Sequence, residues 1–546
     1  MVPLTQAILG LSLAACSIVL WKIWSFLWRS YANALKNLPG PPNPSWIWGN
    51  FKAIRDEDNS VPQERWVAEY GPNIMYRGIL GTPRLWTMDT RALNHILTHS
   101  GEYRKPEANS QDLVRVLGKG LLFTEGEQHR KQLTILQNPA FGPAQIRELT
   151  SIFVHKSAEL RNLWDAKVAH SGGQARIDVL KDLGKMTLDV IGLAGFNYSF
   201  DALNPDGKPN ELSEAFQQIF SIPSKITTMM ILKHVIPLLG AIPDERSRRI
   251  DRAQEVMRRI GVQLIQEKKE AIKRELSESK EGGLGRKDVQ GRDLLTLLLK
   301  ANMATDIPDS QRLSDEEVLS PCLRFLVAGH ETTSVATTWC LYALTQAPEV
   351  QKKLRDELLT LDTDMPTMDE LNSLPYLDAV VRETLRIHAP VPTTLRVAMK
   401  DDVIPISEPF VDRFGQVQDS IRITKGSAVI IPILSLNRCK KLWGEDAREF
   451  KPERWEHPPE ALSSVPGVWG HMLTFLGGPR ACIGYRFSIV EMKALVYTLV
   501  RSLEFELAVP PEDVQKRTSV VQRPILKSAP EQGSQLPLLV RRYKRE

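Results

Sequence analysis

The chain has 546 residues, 42% hydrophobic and 25% charged, an ordinary globular composition with ample material for a large core. Its 70 basic and 65 acidic residues leave a net charge of +5, too mild for a nucleic-acid partner and enough only for a local basic face. Five cysteines (Cys16, Cys322, Cys340, Cys439 and Cys482) show no CxxC spacing. So sparse and odd a set argues against a disulfide framework and for a reducing compartment.

In chain order, the first element is apolar. Leu4 to Trp28 offers the roughly 20 apolar residues that a spanning helix needs. Lys22 can snorkel, and Trp21, Trp24 and Trp28 suit a membrane interface. Arg29 and Lys36 follow, so the positive-inside rule puts the bulk of the chain in the cytosol. A cleaved signal peptide is the competing reading, since Leu13-Ala14-Ala15-Cys16 has the look of a cleavage site. Met1 to Gln6 holds no Lys or Arg and the apolar run passes Cys16, which favours an uncleaved anchor over residues 1–30. Pro39, Pro41, Pro42 and Pro44 end that helix and read as a stiff hinge over 31–44.

The body, 45–546, reads as one large α+β domain, mainly helical with small sheets. Pro62 to Tyr70 begins on proline and stops at Gly71, as a helix does. Ile74 to Met88 reads as two strands about Gly81-Thr82-Pro83, and Ile421–Thr424 with Ser427–Leu434 as a hairpin about Lys425-Gly426. Helical patterns fill 145–165, 249–277, 313–346, 349–359, 376–388 and 485–501. The charged stretch Glu267 to Arg292, with Gly282-Gly283, reads as a solvated loop.

The strongest motif is Phe475-Leu476-Gly477-Gly478-Pro479-Arg480-Ala481-Cys482-Ile483-Gly484, followed by a helix. A cysteine thiolate on haem iron donates electron density and favours O–O cleavage. An anionic sulfur needs backbone N–H donors and a nearby helix N-terminus. Gly478 and Gly484 allow a tight backbone, Arg480 can neutralise a propionate, and Phe475 can shield the sulfur. The FxxGxRxCxG arrangement resembles the haem-binding signature of the cytochrome P450 family. Three further motifs stand in the family's order, and the resemblance covers about residues 38–540. The texture of Ala328 to Thr333 and Trp339 is similar to fungal microsomal members.

The resemblance implies roles residue by residue. Glu383 and Arg386, in Glu383-Thr384-Leu385-Arg386, would meet Arg454 of Phe450-Lys451-Pro452-Glu453-Arg454-Trp455 in a buried network that braces the cysteine loop. Ala328-Gly329-His330-Glu331-Thr332-Thr333 would cross the distal haem face. There Ala328 and Gly329 leave room for dioxygen, and Thr332 and Glu331 supply protons; back-bonding within the helix is the bland role for Thr332. His330 would face neighbouring helices rather than the iron. Arg396 resembles the propionate-binding arginine, and His129 a second propionate contact. Leu133 stands where the family has arginine, so Arg130 or Lys131 would substitute.

Arg324, Ala328 and Thr332 share one helix face, with Arg324 roughly 12 Å above Thr332 at about 1.5 Å per residue. Arg324 would touch either the substrate or an acidic side chain. The other pocket walls would come from 104–122, 215–236, Ala389–Val397 and Val520–Ile525. The implied cofactor is haem b, and the implied reaction inserts one oxygen atom from O2 into a lipophilic small molecule such as a terpenoid, a sterol or another secondary metabolite. The chain has no flavin or nicotinamide motif, so electrons would come from NADPH through a separate cytochrome P450 reductase, docking near Arg438, Lys440 and Lys441. The expected location is the endoplasmic reticulum membrane, single-pass, catalytic domain towards the cytosol. Two other readings stay open: a haem-thiolate isomerase or dehydratase without oxygen activation, and a non-enzymatic haem sensor or electron carrier.

Overall fold

A computed structural model describes residues 17, 21, 24, 28, 32–106, 121–122, 124–204, 207, 210–212, 214–215, 245–278, 293–303, 315–518 and 521–544. The anchor expected over 1–30 lies almost wholly outside this set. Among the described residues, no helix is long and apolar enough to cross a membrane.

The strip expected to hinge is laid against the body instead. Asn33 Oδ1 accepts from Leu35 N–H (2.9 Å) and caps a short 3-10 turn over Ala34–Asn37, while Asn33 Nδ2 donates to Ser427 Oγ (2.9 Å). Leu35 is fully buried. Met75 N–H donates to Pro39 O (2.9 Å), and a Cβ on Gly40 would come within 2.0 Å of Met75 O. Pro39, Pro41, Pro42 and Pro44 have no N–H to donate and stiffen the strip.

The described helices of nine or more residues are α1 (Val61–Tyr70), α2 (Thr90–Thr98), α3 (Gly126–Phe141), α4 (Pro143–His170), α5 (Val179–Phe196), α6 (Glu245–Glu278), α7 (Leu294–Met303), α8 (Asp315–Gln346), α9 (Pro348–Leu358), α10 (Pro375–Ile387) and α11 (Tyr485–Ser502). Proline opens α1, α4, α9 and α10, where its missing N–H costs nothing. Asp89 caps α2 by accepting from Ala92 N–H (2.9 Å). The charged stretch read as a loop from Glu267 is helical as far as Glu278, because its buried positions continue the apolar stripe through Ile265 and Ile272.

The strands are β1 (Asn73–Arg77), β2 (Pro83–Thr87), β3 (Tyr103–Arg104), β4 (Gln174–Asp178), β5 (Thr394–Ala398), β6 (Asp402–Val411), β7 (Val417–Ile423), β8 (Ala428–Ile431), β9 (Leu503–Leu507), β10 (Val514–Thr518), β11 (Gln522–Leu526) and β12 (Pro537–Arg542). The main sheet runs β1-β2-β8-β5-β3, with β4-β12-β9 and the hairpins β6-β7 and β10-β11 beside it. β1 and β2 pair antiparallel as the sequence indicates. The hairpin expected about Lys425-Gly426 does not form. The turn exists (Ser427 N–H to Thr424 O, 3.0 Å), but β7 pairs with β6 while β8 joins β2 and β5. Short-range alternation located the strands; partners from far along the chain decided the pairing.

The core sits between the helices. α8 lies along α5, and α11 lies along α4. Trp339 on α8 is fully buried and donates its indole N–H to Gln522 O (2.8 Å), which fastens β11 to α8. Phe153 of α4 meets Phe487 of α11 edge-on, with ring centres 4.7 Å apart. α8 also packs directly on α11, and the candidate site residues lie on these two helices and the segments beside them.

Candidate active site

The cysteine loop is a closed turn on the N-terminus of α11. Cys482 N–H donates to Phe475 O (2.8 Å), and α11 begins at Tyr485. Gly478 has φ +68°, and a Cβ there would lie 2.6 Å from Leu97 O of α2, so glycine is required. The sequence reading missed Gly477, whose Cβ would meet Pro466 O at 1.6 Å. Gly484, by contrast, has ordinary backbone, and a Cβ would only touch Phe141 at 3.8 Å. Protein contacts alone do not demand glycine at 484. Phe475 meets Trp469 edge-on (5.6 Å between ring centres) and lies tilted against Tyr485 (6.0 Å).

Cys482 has exposed surface, yet enough protein surrounds it that burial pushes its thiol up to about 11, against the pull of Gly484 N–H. A coordinated metal cation reverses such a shift and removes the thiol proton.

Behind the loop lies a buried charge network. Glu383 and Arg386 on α10 are fully buried and form a two-pronged pair: Arg386 Nε to Glu383 Oε2 (2.8 Å) and Nη2 to Oε1 (2.7 Å). Arg386 Nη1 also donates to Asn437 O (2.9 Å) and Ala447 O (2.5 Å), and its plane lies 4.8 Å from the Trp443 ring. Glu383 further accepts from Lys451 N–H (2.9 Å) and Trp455 Nε1–H (3.1 Å). Arg454 joins less directly than the sequence implied. Its Nε is 3.5 Å from Glu383, but its Nη1 donates to Asp446 Oδ1 (2.6 Å), and hydrogen bonding from Arg454 holds the Asp446 carboxyl down to about 2. Asn437 carries the network to the loop: it accepts from Leu473 N–H (3.2 Å) and donates to Thr474 Oγ1 (2.8 Å). Asp446, Asn437 and Thr474 gave no signal in the sequence, since they stand in no motif and act through partners that only the fold brings to them.

A second charge cluster gathers Lys105, Glu125, His129, Arg396 and Arg480. Arg396 on β5 is buried; its Nη1 donates to Thr394 Oγ1 (3.1 Å) and Leu395 O (2.9 Å), while its Nη2 has no hydrogen-bond partner. Burial, then the charge of Arg480, lowers Arg396 to about 10. Arg480 pairs with Glu125 at the start of α3 and donates to Leu121 O (3.4 Å). Burial, Arg480 and Lys105 lower His129 to about 4, so it is neutral near pH 7. Arg130, one residue on, is exposed, and the Lys131 side chain lies outside the described residues. The lysine that does join is Lys105, which donates to Leu122 O (2.9 Å) and is lowered to about 7 by burial, Arg396 and Arg480. Two guanidiniums (Arg396 and Arg480) and the amine of Lys105 thus surround one carboxylate, Glu125. A buried excess of positive charge with an unpartnered guanidinium nitrogen fits a ligand carrying two carboxylates, as haem b does.

The helix expected to cross the distal haem face is α8. Ala328 is exposed in the middle of an otherwise buried stretch, and Thr332, one turn on, is half-exposed. Phe141 links this face to the cysteine loop, since its ring lies 5.2 Å from Phe325 and beside Gly484. Gly329 does not leave room for a ligand: a Cβ there would press on Ile191 of α5 at 3.1 Å, so its smallness serves helix packing. His330 is buried, its Nδ1 2.7 Å from Leu326 O, with its own carbonyl accepting from Thr187. Thr332 Oγ1 donates to Ala328 O (2.7 Å), the back-bond, which leaves its lone pairs free to accept. Glu331 is buried and paired with Arg523 of β11 (Nε to Oε1, 2.6 Å). Arg523 lies inside the stretch Val520–Ile525 read as pocket wall, though its pairing was not foreseen. Behind α8, Glu491 of α11 is buried without a well-placed hydrogen bond. Burial holds its carboxyl well above the usual range, against the weak pull of Thr333.

Other expected contacts lie elsewhere. The side chain of Arg324 and most of 104–122 and 215–236 fall outside the described residues. Arg438 is no surface cation: it donates to Ile387 O (3.0 Å), and burial lowers it to about 10. Lys440 and Lys441 are exposed, but each is paired, with Glu445 and Glu408 (both 2.6 Å).

The cytochrome P450 family model matches residues 39–528. The chain is 59% identical over 543 residues to cytochrome P450 monooxygenase 205 of Postia placenta, covering 99% of each chain. It is 38% identical over 521 residues to the cytochrome P450 monooxygenase claO of Ampulloclitocybe clavipes, covering 92% of this chain and 93% of that one. It is also 35% identical over 538 residues to a ganoderic acid synthetase of Ganoderma lucidum, covering 94% and 95%. A cysteine loop on a helix N-terminus, a cradle with excess positive charge and full-length similarity agree, and this chain belongs to the cytochrome P450 family of haem-binding monooxygenases.

Proposed function

We propose that the chain inserts one oxygen atom from O2 into a lipophilic small molecule, a terpenoid, sterol or other secondary metabolite, drawing electrons from NADPH through a separate cytochrome P450 reductase. Haem iron with a thiolate ligand supplies the oxygen chemistry once bound. The chain's own part is positional. Cys482 holds the metal, and Arg396, Arg480, Lys105 and neutral His129 hold the propionate side. Thr332 Oγ1 is a hydroxyl on the open face of α8, and Glu331 Oε1 beside it is the nearest acid on that helix, held by Arg523 until it gives up that partner. The observation that carries the reading is Ala328, exposed on a buried helix across Phe141 from the cysteine loop. An electron carrier would fill that side with a second ligand.

The organisation we propose keeps residues 1–30 as a membrane anchor in the endoplasmic reticulum, with the body towards the cytosol. Exposed Trp21, Trp24 and Trp28 support this, as does the start of the folded body at Asn33. Arg324 shares the face of Ala328 and Thr332 and is our candidate for a polar group on the substrate. The test is oxygen uptake by the purified holoprotein with NADPH and a flavoprotein reductase, screened against lipophilic compounds that shift the haem spectrum. Reductase-dependent uptake with an oxygenated product supports the reading. Turnover of a peroxide or oxime without reductase would replace it with the isomerase or dehydratase reading. In Thr332→Ala, haem content should hold while NADPH use separates from product and peroxide appears; unchanged coupling would reduce Thr332 to its back-bond.

A further inference from the structure

Between β11, the end of α10 and the start of α1, buried polar side chains stop pairing with one another. Gln522 of β11 is fully buried, yet neither its amide nitrogen nor its amide oxygen has a hydrogen-bond partner among the described residues. Only its backbone is tied: the N–H donates to Pro390 O (2.8 Å), and the carbonyl accepts from Trp339 Nε1–H (2.8 Å). His388, two residues before Pro390, stacks on the Trp339 ring (5.1 Å between centres, 8° between planes), and its Nδ1 is buried without a partner. The amine of Lys516 on β10 lies 5.5 Å from the same indole ring.

The same pattern continues to α1. Lys516 N–H donates to Asp58 Oδ1 (3.2 Å), just before that helix. Ser60, at the N-cap position of α1, is buried in the left-handed backbone region (φ +69°), where a side chain is strained. Its Oγ neither caps the helix, as serine there ordinarily does, nor bonds elsewhere. Asn59 Nδ2 is unmet, and so are Gln63 Oε1 and Glu64 Oε1 one turn on. Burial raises the Glu64 carboxyl against the pull of Arg438, Arg448 and Ser435, but the buried Ser435 Oγ is too poorly placed to bond it. Lys516 feels the charges of Arg438 and Asp58, and Arg438 those of Glu64 and Asp58, so both ends belong to one region. Eight of the seventeen buried side-chain nitrogen and oxygen atoms without a partner among the described residues lie here.

The chemistry of these atoms selects the occupant. Arg438 and Lys516 face Asp58 and Glu64, while Arg448, which also reaches Glu64, is largely exposed. Burial, then Lys516 and Arg438, hold His388 well below its usual value, so it is neutral. Neither sign is in excess, in contrast to the surroundings of Arg396. The unmet atoms include donors (Asn59 Nδ2, Gln522 Nε2) and acceptors (Gln63 Oε1, Gln522 Oε1), which no single ion can answer. Water both donates and accepts, and buried polar groups that lack protein partners are ordinarily met by it.

We propose that this region is a closed hydration site, in which about three ordered waters, at about three bonds per buried water, join His388 and Gln522 to the start of α1. His388 adjoins Ala389–Val397 and Gln522 lies within Val520–Ile525, two segments expected to wall the substrate pocket. At these two residues the walls are backed by water bridges instead of direct side-chain bonds.

The test is synchrotron radiolytic footprinting of the full-length holoprotein, in which radicals formed from bound water oxidise the side chains beside it. It is run in ordinary water and after a rapid change to water carrying oxygen-18. Trp339 and His388 should be oxidised despite their burial, while Trp164, equally buried and with its indole N–H on Asp182 (2.9 Å), stays unmodified. The heavy isotope should enter the Trp339 and His388 products more slowly than those of exposed Trp46. Gln522→Leu removes two of the atoms that hold the water, so it should lower oxidation of Trp339 and His388 and should not raise the melting temperature. Unmodified Trp339 and His388 beside a modified Trp46 would overturn the site. So would a Gln522→Leu protein that melts above wild type, because deleting dry, unmet polar atoms is stabilising. Isotope entry as fast as at Trp46 would show a region open to bulk solvent and would overturn it too.

Discussion

Two buried charge clusters lie either side of the cysteine loop, and they are built differently. In the network of Glu383, Arg386, Arg454 and Asp446, two carboxylates meet two guanidiniums, and Glu383 alone takes four hydrogen bonds from named donors. In the cluster of Lys105, Arg396, Arg480 and Glu125, two guanidiniums and a lysine face a single carboxylate; each cluster leaves one guanidinium nitrogen without a hydrogen bond, but Arg454 Nε lies 3.5 Å from Glu383, whereas Arg396 Nη2 has no carboxylate partner among the ion pairs of the described residues. Charge buried without full compensation is costly, so the open cluster lowers the stability of the empty protein, whereas the closed one braces it. Closure marks a structural network; an excess of one sign marks a place for a ligand of the other. The sequence alone assigns Glu383, Arg386, Arg396 and Arg480 to these roles only through family likeness, and the charge balance gives the physical reason.

The largest effect should come from breaking the closed network. Glu383→Gln removes the charge that two arginines face and should cost about 3–5 kcal/mol, read as a lower melting temperature with or without haem. Opening the cradle further should act on the ligand instead. Arg396→Leu should speed haem loss about tenfold or more, the equivalent of the 1.5–3 kcal/mol of a charged hydrogen bond. Smaller effects follow from titration. The folded state holds Asp446 near 2, below the ordinary carboxylate value, so its contribution is present above about pH 4 and is lost as pH falls towards 2. Asp446→Asn should flatten that part of the acid-melting curve, by about 1 kcal/mol or less for a partly exposed pair. Lys105 has the opposite sense. Its folded value near 7 lies below its unfolded one, so between about pH 7 and 10 the unfolded chain binds more protons and apoprotein stability rises with pH. Lys105→Met should abolish that rise.

The parts of the site legible in the sequence were those packed into short motifs. The cysteine loop, the Glu383–Arg386 spacing and the helix of Ala328 to Thr332 each fall within ten residues, where periodicity and turn chemistry apply. What stayed hidden was long-range. Lys105, Glu125 and Arg523 reach the site from segments with no motif, and Asp446 takes the larger share of Arg454 that likeness had given to Glu383. The same reason explains the misread hairpin, since β7 and β8 are neighbours in sequence but belong to different sheets. Gly329 and Gly484 mislead in a further way: a glycine in a functional motif can serve helix packing, as against Ile191, or can face so little protein that contacts do not explain it.

The most direct test compares Glu383→Gln with Arg396→Leu in two forms, apoprotein and haem-loaded, by melting temperature and by the reduced carbon monoxide spectrum of the Cys482 thiolate. Glu383→Gln should melt lower in both forms. Arg396→Leu should leave the apoprotein equal to wild type or more stable, yet lose the stabilisation that haem confers, with the thiolate spectrum fading as haem dissociates. An Arg396→Leu apoprotein destabilised as much as Glu383→Gln would contradict the division into a closed brace and an open cradle.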